Sequence, residues 1–529
     1  MPRYPGTDEV DRSHFDSAPD GRIVNSDSEL ETIESYSINR FVTVKILRDL
    51  KSGRKLYFVT SPDINEDEAR TLVNIKKSFT KSLKDEPDIL PYVDRKRYLN
   101  ERVSSYILEN HLSYDEDTLK YLQYVVQRDY LGYGKIDAIM NDANVEDISC
   151  DGAGIPIYVY HKKYRNLRTN LIFEDDKELN NFIVLLSQKG NKQISVSDPI
   201  LDASTLEGNR INATFGKEVT AKGGTFTIRL FKKVPLTPVD LVLLKTASPE
   251  LMAYLWMATE SGKNLIVLGG TGVGKTSTLN AVSIFLPSNS KIVSIEDTRE
   301  INIPHKNWIS AVTRSGVGEG RFVTGRSAGE IDMFDLLISA LRQRPDYMIV
   351  GEIRGKEAYN LFQAMSMGQT TLTTMHAESI DNMITRLENH PLNIPRTMFT
   401  SINCVVLQSL VKINGQLERR ITEVLEIVRL DPESNELTFN TIFYWDPSSD
   451  KIVFSGKSEI LTEKIESNGT DQEEYKEFNS RTKLIRYLSE MKVTNYKEMW
   501  NYLRKYSKDP TGLYSEIESA IAARRKSSE

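Results

Sequence analysis

A glycine-rich segment near the middle of the chain contains the residues with the most recognisable chemistry. Residues 269–276 read GGTGVGKT, which fits the pattern G-x-x-x-x-G-K-[ST] in full. An apolar run, NLIVL, precedes the segment, and a helical pattern, TSTLNAVSIFL, follows it and stops at Pro287. This order predicts a phosphate-binding loop, because loop N–H groups and a helix N-terminus would together cradle phosphate. A glycine turn that binds nothing is the alternative interpretation.

The side chains of this segment have separate expected tasks. We expect Lys275 to reach the β- and γ-phosphate oxygens of a nucleotide, and Thr276 to offer its hydroxyl to Mg²⁺. The predicted ligands are therefore ATP and Mg²⁺. The predicted nucleotide-binding residues are Gly269, Gly270, Thr271, Gly272, Val273, Gly274, Lys275, Thr276 and Ser277.

Three other apolar runs, KIVSI, YMIV and TTLTTM, are each followed closely by ionisable residues. In an open parallel sheet, ligands lie beyond the carboxyl ends of the strands. We therefore expect these ionisable side chains at the same edge as the glycine loop. Asp346 precedes its run and is expected at the opposite edge. The expected edge residues are Glu296, Asp297, Glu300, Glu352 and His376.

Position suggests a role for each of these side chains. Glu352 is the expected Mg²⁺ carboxylate, bound directly or through water, and Asp297 is a further candidate ligand. Glu296 and Glu300 are both candidates for the general base that orients the attacking water, and the sequence does not choose between them. His376 could respond to the γ-phosphate. A strand-end histidine bonded to the backbone is the alternative for that residue.

Two arginines earlier in the chain could take part in catalysis from a distance. Arg210 lies in EGNRINATFG and Arg229 ends the predicted strand in GGTFTIRLFKK. An arginine delivered from another domain or subunit would neutralise charge that develops on the γ-phosphate. Surface ion pairs, which contribute little, are the alternative. A further arginine-bearing segment, 313–345, has few aromatic residues and contains glutamates, so a nucleic-acid surface is not favoured there.

Composition is typical of an ordinary globular protein with many charges. The 529 residues allow two to four domains, and the net charge of −6 argues against a surface that coats nucleic acid. Only two cysteines occur, without a metal-binding spacing, which favours a reducing cytoplasmic compartment. No run of about 18 apolar residues is present, so no membrane span is predicted.

The pattern changes several times along the chain. Apolar strands alternating with helices after residue 240 predict an α/β fold with a doubly wound parallel sheet. Two prolines in FKKVPLTPVD mark a linker. The predicted divisions are a disordered tail (1–38), an N-terminal α/β region (39–231), the linker (232–240), an ATPase domain (241–430) and a charged, irregular C-terminal extension (431–529).

Four of these segments together resemble a known protein family. GGTGVGKTSTLN, IVSIEDTREI, LISALRQRPDYMIVGEIRGKEA and TTLTTMHAES resemble the Walker A, Asp box, Walker B and His box of type II/IV secretion system ATPases, over residues 195–430. VEDISCDGAGIPIYVYH and FNTIFYWDPSSDKIVFSG resemble the archaeal branch of this family, which powers the archaellum or type IV pilus assembly. The four-cysteine zinc module of many bacterial assembly ATPases is missing from this sequence.

The resemblance implies a homohexameric ring. Each subunit would join a RecA-like P-loop ATPase domain to a smaller α/β, PAS-like N-terminal domain, with nucleotide between them. By position, Arg210 and Arg229 match the N-domain arginines that reach the nucleotide. The implied partners are a polytopic membrane platform protein and the filament machinery, and the implied location is cytoplasmic, peripheral to the inner face of the cell membrane.

Several alternatives stay open at this point. The chain could instead be a DNA-transfer motor of a conjugation or uptake system, which DNA would stimulate in a salt-sensitive way. It could also be a nucleotide-gated scaffold that seldom hydrolyses ATP. The sequence does not distinguish an archaellum from a pilus.

Overall fold

The computed structural model divides the chain into two compact units, residues 1–231 and 232–529. The division lies at the start of the predicted linker. The structure describes residues 30–82, 92–231, 234–314, 329–462 and 471–517.

The first unit is built on a sheet whose nine described strands lie in the order β1-β2-β3-β6-β5-β4-β9-β8-β7. Neighbouring strands are antiparallel, except that β3 and β6 run parallel. Buried and exposed side chains alternate along strands such as β8, as expected where one face of a sheet covers a core. The strands are β1 Leu30–Ser37, β2 Thr43–Asp49, β3 Lys55–Thr60, β4 Val145–Cys150, β5 Pro156–His161, β6 Arg165–Ile172, β7 Ile200–Ser204, β8 Arg210–Thr214 and β9 Thr225–Arg229.

The helices of the first unit fall into two sets. Helices α1, α2 and α3 bury apolar side chains such as Ile75, Val103 and Leu122 against one another in a small cluster of their own. Helix α5 packs Leu179 and Ile183 against the sheet. The helices are α1 Glu66–Ser82, α2 Tyr92–Glu109, α3 Glu116–Tyr130, α4 Asp137–Met140 and α5 Asp176–Lys189, with a 3₁₀ turn at Gly134–Ile136.

Strand β1 corrects one prediction. The sequence predicts a disordered tail over 1–38, but Leu30–Ser37 pairs antiparallel with β2. The Tyr36 hydroxyl also donates to Asp142 Oδ2 at 2.7 Å, which fastens this edge strand to the unit. Charged residues interrupt the apolar pattern of β1, although its strand partner β2 begins only six residues after it ends. Residues 1–29 lie outside the described part of the chain.

The second unit contains a sheet whose nine described strands lie in the order β12-β11-β13-β14-β10-β15-β16-β17-β18. The strands from β12 to β15 run parallel, and β16, β17 and β18 extend the sheet in antiparallel fashion. The strands are β10 Leu265–Gly269, β11 Ile292–Glu296, β12 Trp308–Val312, β13 Tyr347–Ile353, β14 Thr370–His376, β15 Cys404–Ile413, β16 Gln416–Leu430, β17 Leu437–Asp446 and β18 Lys451–Phe454.

Helices cover both faces of this second sheet. Alternate residues of β10 join different cores: Leu265 and Val267 face one, and Ile266 and Leu268 face the other. A parallel sheet covered on both faces confirms the predicted α/β, doubly wound fold class. The helices are α6 Pro238–Leu243, α7 Pro249–Glu260, α8 Lys275–Ser283, α9 Met333–Arg342, α10 Glu357–Ser366, α11 Ile380–Glu388, α12 Asp471–Glu490 and α13 Tyr496–Lys508, with a 3₁₀ turn at Arg396–Ser401 and helical residues at 459–462 and 510–517.

The predicted linker is shorter than 232–240. Helix α6 already begins at Pro238, where Thr237 caps it and forms a reciprocal capping box with Asp240. Val239 is fully buried in the core of the second unit. The segment T-P-x-D is a helix start signal that the proline-based interpretation overlooked. Residues 232 and 233 lie outside the described part of the chain.

The prediction of an irregular C-terminal extension over 431–529 is also wrong. Strands β17 and β18 belong to the sheet of the second unit, and helix α12 buries Leu484 and Ile485 in the same core as α7 and α8. The sheet therefore does not end at residue 430 and is not purely parallel. The many charged residues of 431–529 gave no local signal for these strand pairings. Residues 463–470 and 518–529 lie outside the part of the chain that the structure describes. None of the helices in the described ranges has the length and apolar character needed to cross a bilayer.

Candidate functional site

The glycine-rich loop connects the end of β10 to the start of α8. Gly272 and Gly274 have φ angles of +73° and +100°, in the left-handed region that favours glycine. Gly274 is the N-cap of α8 and gives the helix no side-chain cap. In the described part of the chain, the backbone N–H groups of residues 271–277 donate to no protein acceptor. The loop therefore presents free donors at a helix N-terminus, an arrangement that suits an anion.

Lys275 lies inside this loop rather than out in solvent. Its side chain is largely buried, and Nζ donates to the Gly270 carbonyl at 2.8 Å. Burial lowers the pKa of the Lys275 ammonium, while the negative charges of Glu352 and Glu300 oppose this shift. The lysine is thus held over the loop, within the electrostatic reach of two of the predicted carboxylates.

The strand registers bring the predicted residues to one edge of the sheet. Gly269 at the end of β10 pairs with His376 at the end of β14. Strand β13 continues past its pairing with β11 through Glu352, which is the residue before Ile353. Glu296 is the last residue of β11. The ends of β10, β14, β13 and β11 therefore place these groups along the same edge as the loop.

Asp346 lies at the opposite edge, as its position before the strand predicts. Its carboxylate accepts a hydrogen bond from the Lys291 backbone N–H at 2.7 Å, immediately before β11 begins. This aspartate ties two strand starts together and cannot contact a ligand at the carboxyl edge.

Glu296 is the most unusual carboxylate at the edge. It is almost fully buried, and its Oε1 accepts from the Glu300 and Ile301 N–H groups at 2.8 and 2.7 Å. Its Oε2 is buried without a hydrogen-bond partner among the described residues. Burial raises the pKa of Glu296 to about 7, and the two backbone hydrogen bonds oppose that rise. The Glu300 side chain, by contrast, is exposed.

Glu352 and Asp297 share a cationic neighbour. Arg354 donates to Glu352 through Nε at 2.9 Å and also through Nη2, and its Nη1 lies 3.9 Å from Asp297 Oδ2. Asp297 is in addition within 3.4 Å of the Thr313 hydroxyl. The guanidinium thus holds two carboxylates that the sequence predicts as Mg²⁺ ligands, and the sequence interpretation gave Arg354 no role.

The side chains present fit a magnesium ion bound with nucleotide. Thr276 offers a hydroxyl from the first turn of α8, and Glu352 and Asp297 offer carboxylates, which are hard oxygen ligands. No group of three or more histidine, cysteine or acidic side chains converges to hold a metal within the ranges that the structure describes. Mg²⁺ commonly takes one or two protein ligands and completes its shell with phosphate and water.

His376 lies between the loop and a cavity. Its backbone carbonyl accepts from Arg386 Nη1 at 2.8 Å. The neighbouring cavity has a volume of about 600 Å³, and its lining includes Arg354, His376, Glu378 and Arg386. A solvent-accessible cavity with polar lining residues therefore lies next to the carboxyl edge of the sheet, at the end of β14.

Arg210 and Arg229 are cross-strand neighbours in the first unit, at the paired positions of β8 and β9. Arg210 Nη2 lies 3.2 Å from Asp202 Oδ2, and Arg229 Nε donates to Asp147 Oδ1 at 3.0 Å. Both guanidinium groups are substantially exposed, with side-chain exposures of 41% and 66%. The expectation that they reach a nucleotide stays a prediction.

Two residues that contact the loop were missed by the sequence interpretation. Gln408 Nε2 donates to the Val273 carbonyl at 2.9 Å, and Arg419 Nε donates to the Gly272 carbonyl at 3.1 Å. The sequence held one signal, because Gln408 interrupts the apolar run VVLQSL and a buried amide needs partners. Nothing local identifies those partners.

The sequence is similar to a described protein family and to individual proteins of known sequence. Residues 166–509 match the family described as "Type II/IV secretion system protein". The uncharacterized protein MJ0900 of Methanocaldococcus jannaschii is 35% identical over 399 residues, which cover 74% of this chain and 71% of that protein. The Type IV secretion system protein PtlH of Bordetella pertussis is 34% identical over 173 residues, which cover 32% of this chain and 48% of PtlH.

Among solved structures, the pilus retraction motor PilT with bound ADP aligns at 18% identity over 64% of this chain and 88% of that chain, with a TM-score of 0.35. A likeness at this level carries no argument about the present chain. The family match, however, spans more than half of the sequence and includes the loop and every edge residue described above. The chain therefore belongs to the type II/IV secretion system protein family.

Proposed function

We propose that the protein is an ATPase that hydrolyses ATP to ADP and phosphate and converts the energy into mechanical work in an archaeal type IV filament system. One observation carries the enzymatic part. A loop with free N–H donors shares a sheet edge with a buried glutamate, Glu296, whose Oε2 has no partner in the described part of the chain. A buried polar atom without a partner at such an edge suits a ligand or water that completes its hydrogen bonds.

The phosphate end of the nucleotide would be held by the loop. Its N–H groups and the N-terminus of α8 would take the phosphate oxygens, and Lys275 would exchange its hydrogen bond to the Gly270 carbonyl for one to phosphate. Mg²⁺, when bound beside Thr276 and Glu352, would neutralise phosphate charge. The remaining loop residues would provide backbone contacts.

Of the two candidate bases, the environment of Glu296 is the better suited. A pKa near 7 lets this carboxylate accept a proton from water at Oε2 and still release it near neutral pH. The two N–H donors on Oε1 hold the carboxylate in place, which would leave Oε2 for the attacking water. Glu300 acts on the site through its charge and through its backbone N–H. His376 and Arg354 would respond to the loss of the γ-phosphate.

The motor part of the proposal depends on the family and on its archaeal relatives. Family membership and the 35% identity to a Methanocaldococcus jannaschii protein support an archaeal machine. We propose a homohexamer at the inner face of the cell membrane, in which Arg210 or Arg229 completes the nucleotide site. The stroke would pass to a polytopic platform protein and drive the assembly of filament subunits.

A second candidate is a motor of a type IV secretion machine that transfers macromolecules. The similarity to PtlH, whose name assigns it to a type IV secretion system, favours this reading. Duplex or single-stranded DNA would then stimulate ATP hydrolysis in a manner that weakens with added salt. An unchanged rate with DNA leaves the filament motor as the better candidate.

The test is phosphate release by the purified full-length chain with Mg²⁺ and ATP. Lys275→Ala should lower the rate at least about 100-fold, because it removes charge stabilisation of the transferring phosphate. Glu352→Ala should give a ring of unchanged mass by light scattering that is nearly inactive. Normal hydrolysis by both variants would show that the site is assigned wrongly.

Matched controls come from exposed residues of the same unit. Lys457→Ala and Glu433→Ala remove a lysine and a glutamate from solvent-exposed positions away from the carboxyl edge. Both should hydrolyse ATP at the wild-type rate. A wild-type turnover far below one per minute, even with lipid and partner present, would favour a nucleotide-gated scaffold instead.

A further inference from the structure

We propose that Gln408 and Arg419, two side chains of the β15–β16 hairpin, are positioning residues that fix the orientation of the phosphate-loop peptides and so set the affinity for nucleotide. This inference rests on the proposed function, because it concerns how the same loop binds. Neither residue belongs to the loop, to its helix or to the acidic edge.

Gln408 is held by hydrogen bonds at both ends of its amide. The side chain is 1% exposed; Nε2 donates to the Val273 carbonyl at 2.9 Å and Oε1 accepts from the Thr278 hydroxyl at 2.7 Å. Thr278 is fully buried in the second turn of α8. Since a carbonyl can only accept, the amide nitrogen must face Val273, and the amide therefore spans the loop and its helix in one orientation.

The direction of one carbonyl fixes the direction of the next N–H. In a trans peptide the C=O and N–H of the same unit point in opposite directions, and the peptides of the loop are trans. When Gln408 holds the Val273 carbonyl behind the loop, the Gly274 N–H is turned to the opposite side. That N–H stands at the start of α8, where the free donors of the loop gather.

Arg419 does the same for the preceding peptide. Its Nε donates to the Gly272 carbonyl at 3.1 Å, which turns the Val273 N–H to the side opposite that carbonyl. Its carbon Cδ would lie 3.4 Å from a Cβ at Gly274, so the arginine lies against the loop rather than reaching it from afar. Two consecutive loop peptides are therefore oriented by the same hairpin.

The hairpin packs so closely against the loop that two loop glycines have little room for a side chain. A Cβ at Gly269 would lie 2.3 Å from the Gln408 carbonyl oxygen, and one at Gly274 would lie 3.1 Å from Gln408 Nε2. Both glycines are thus required by the close approach of the hairpin as well as by their φ angles. The phosphate loop and the hairpin form one packed element.

A β-bulge aims the hairpin at the loop. Leu407 still pairs with Glu423, but Gln408 pairs with Ile421, so Thr422 is the extra residue of β16. Strand β10 pairs with β15 up to Leu407, so Gln408 is the first residue of β15 beyond that pairing, beside the loop. A bulge re-aims a side chain in this way and is common beside functional sites.

The hairpin is itself anchored to the last strands of the sheet. Arg420, next to Arg419, is buried and donates to both oxygens of Asp450, at 2.9 and 3.0 Å. Asp450 also accepts from Trp445 Nε1 at 3.1 Å. Residues of the antiparallel extension thus hold the hairpin in place, and the hairpin in turn holds the phosphate loop. Residues beyond 430 therefore influence the site through the hairpin.

The experiment measures the dissociation constant of MgADP by titration calorimetry, as a ratio of variant to wild type at each pH. Gln408→Glu keeps the shape of the side chain but, when ionised, has no proton to donate to the Val273 carbonyl. We expect the ratio to be at least ten at pH 8.5. Protonation restores the donor, and since burial raises the pKa of a carboxyl, the ratio should fall below three at pH 5.5.

The hairpin offers matched controls. Arg419→Gln should raise the dissociation constant about three- to five-fold, whereas Arg429→Gln removes an exposed arginine from the same strand and should leave it unchanged. Gln416→Glu changes an exposed glutamine at the hairpin tip in the same way as Gln408→Glu, and should give a ratio near one at both pH values.

The possible outcomes separate this inference from the proposed function. A ratio near one for Gln408→Glu at pH 8.5, or a ratio of ten or more that does not fall at pH 5.5, would overturn the positioning role. Thermal unfolding of each variant without nucleotide shows that the protein is folded at the pH used. Failure of the wild-type chain to bind MgADP would instead count against the proposed function.

Discussion

The two halves of the second sheet each bury a glutamate, and they treat it differently. Glu296 ends β11 in the parallel half, and Glu426 lies within β16 in the antiparallel half; they are 1% and 2% exposed. The oxygens of Glu426 accept from the Tyr254 and Ser458 hydroxyls at 2.8 and 2.6 Å and from the Glu459 N–H at 2.7 Å. Oε2 of Glu296 accepts no hydrogen bond from any of the described residues.

This difference separates a fully hydrogen-bonded structural carboxylate from one with an unpaired oxygen. Each buried polar atom without a partner costs about 1–3 kcal/mol, so a fold normally pairs it. Glu426 is paired, and its oxygens accept from the Glu459 and Ile460 N–H groups, which holds the helical segment 459–462 against the sheet. Glu296 keeps an unpaired oxygen at the end of β11, separated from β10 by two strands, on the same edge of the sheet. The antiparallel half therefore uses its buried glutamate for support, whereas the proposed function uses the buried glutamate of the parallel half for chemistry.

The largest expected effect is on catalysis by Glu296→Gln. The amide cannot take a proton from water, so ATP hydrolysis should fall at least about 100-fold, the usual contribution of a general base. The affinity for MgADP should stay within a few-fold of wild type, because the loop is untouched. Glu426→Gln keeps an acceptor in the structural position and should retain most of the activity at temperatures where it is folded.

Parallel variants sharpen the comparison between the two glutamates. Glu300→Gln should reduce hydrolysis less than Glu296→Gln, because the Glu300 side chain is exposed and its backbone N–H, which bonds Glu296, is preserved. A larger loss in Glu300→Gln would assign the base to Glu300. Equal losses in Glu296→Gln and Glu426→Gln would mean that both glutamates act through stability alone.

The sequence predicted the parts of the fold whose signals are local. The strand–loop–helix order around Lys275 and the apolar runs ending in Glu296, Glu352 and His376 predicted the parallel half and its carboxyl edge. These signals lie within a few residues of one another, so no knowledge of distant pairing is needed. The same holds for Asp346, whose position before its strand predicted the opposite edge.

What could not be predicted depends on contacts between distant residues. Strands β16 to β18 look irregular in sequence because their burial comes from neighbours in the sheet and from helix α12. The bond from Gln408 to Val273 joins residues 135 positions apart. The choice between Glu296 and Glu300 rests on which side chain the fold buries, and two acidic residues four positions apart carry no such information on their own.

The second prediction concerns stability in the supporting half. Glu426→Ala should lower the free energy of unfolding of the second unit by about 4 kcal/mol. At least three buried donors lose their acceptor, at a cost of about 1–3 kcal/mol each. Water that enters the space left by the side chain would satisfy these donors only in part. Urea unfolding followed by tryptophan fluorescence measures this, since all four tryptophans (256, 308, 445 and 500) lie in the second unit. Glu436→Ala, at an exposed position of the same half, should change the midpoint little.

The smallest effect is the pH dependence of stability that the raised pKa of Glu296 should cause. Its pKa is raised from 4.5 in the unfolded chain to about 7 in the folded one. The folded state therefore holds the proton more tightly, so the contribution of this carboxyl to stability is fully present below pH 4.5 and is lost as pH rises through 7. Above that range the wild type carries a penalty of about 3 kcal/mol that Glu296→Gln does not carry.

Urea unfolding of wild type and Glu296→Gln at pH 5 and pH 8 measures the difference. The absolute stability of the variant is not the test, because its new amide protons also need acceptors. The difference in unfolding free energy, variant minus wild type, should rise by about 2 kcal/mol from pH 5 to pH 8. A difference that stays constant between pH 5 and pH 8 would mean that burial does not raise the pKa of Glu296.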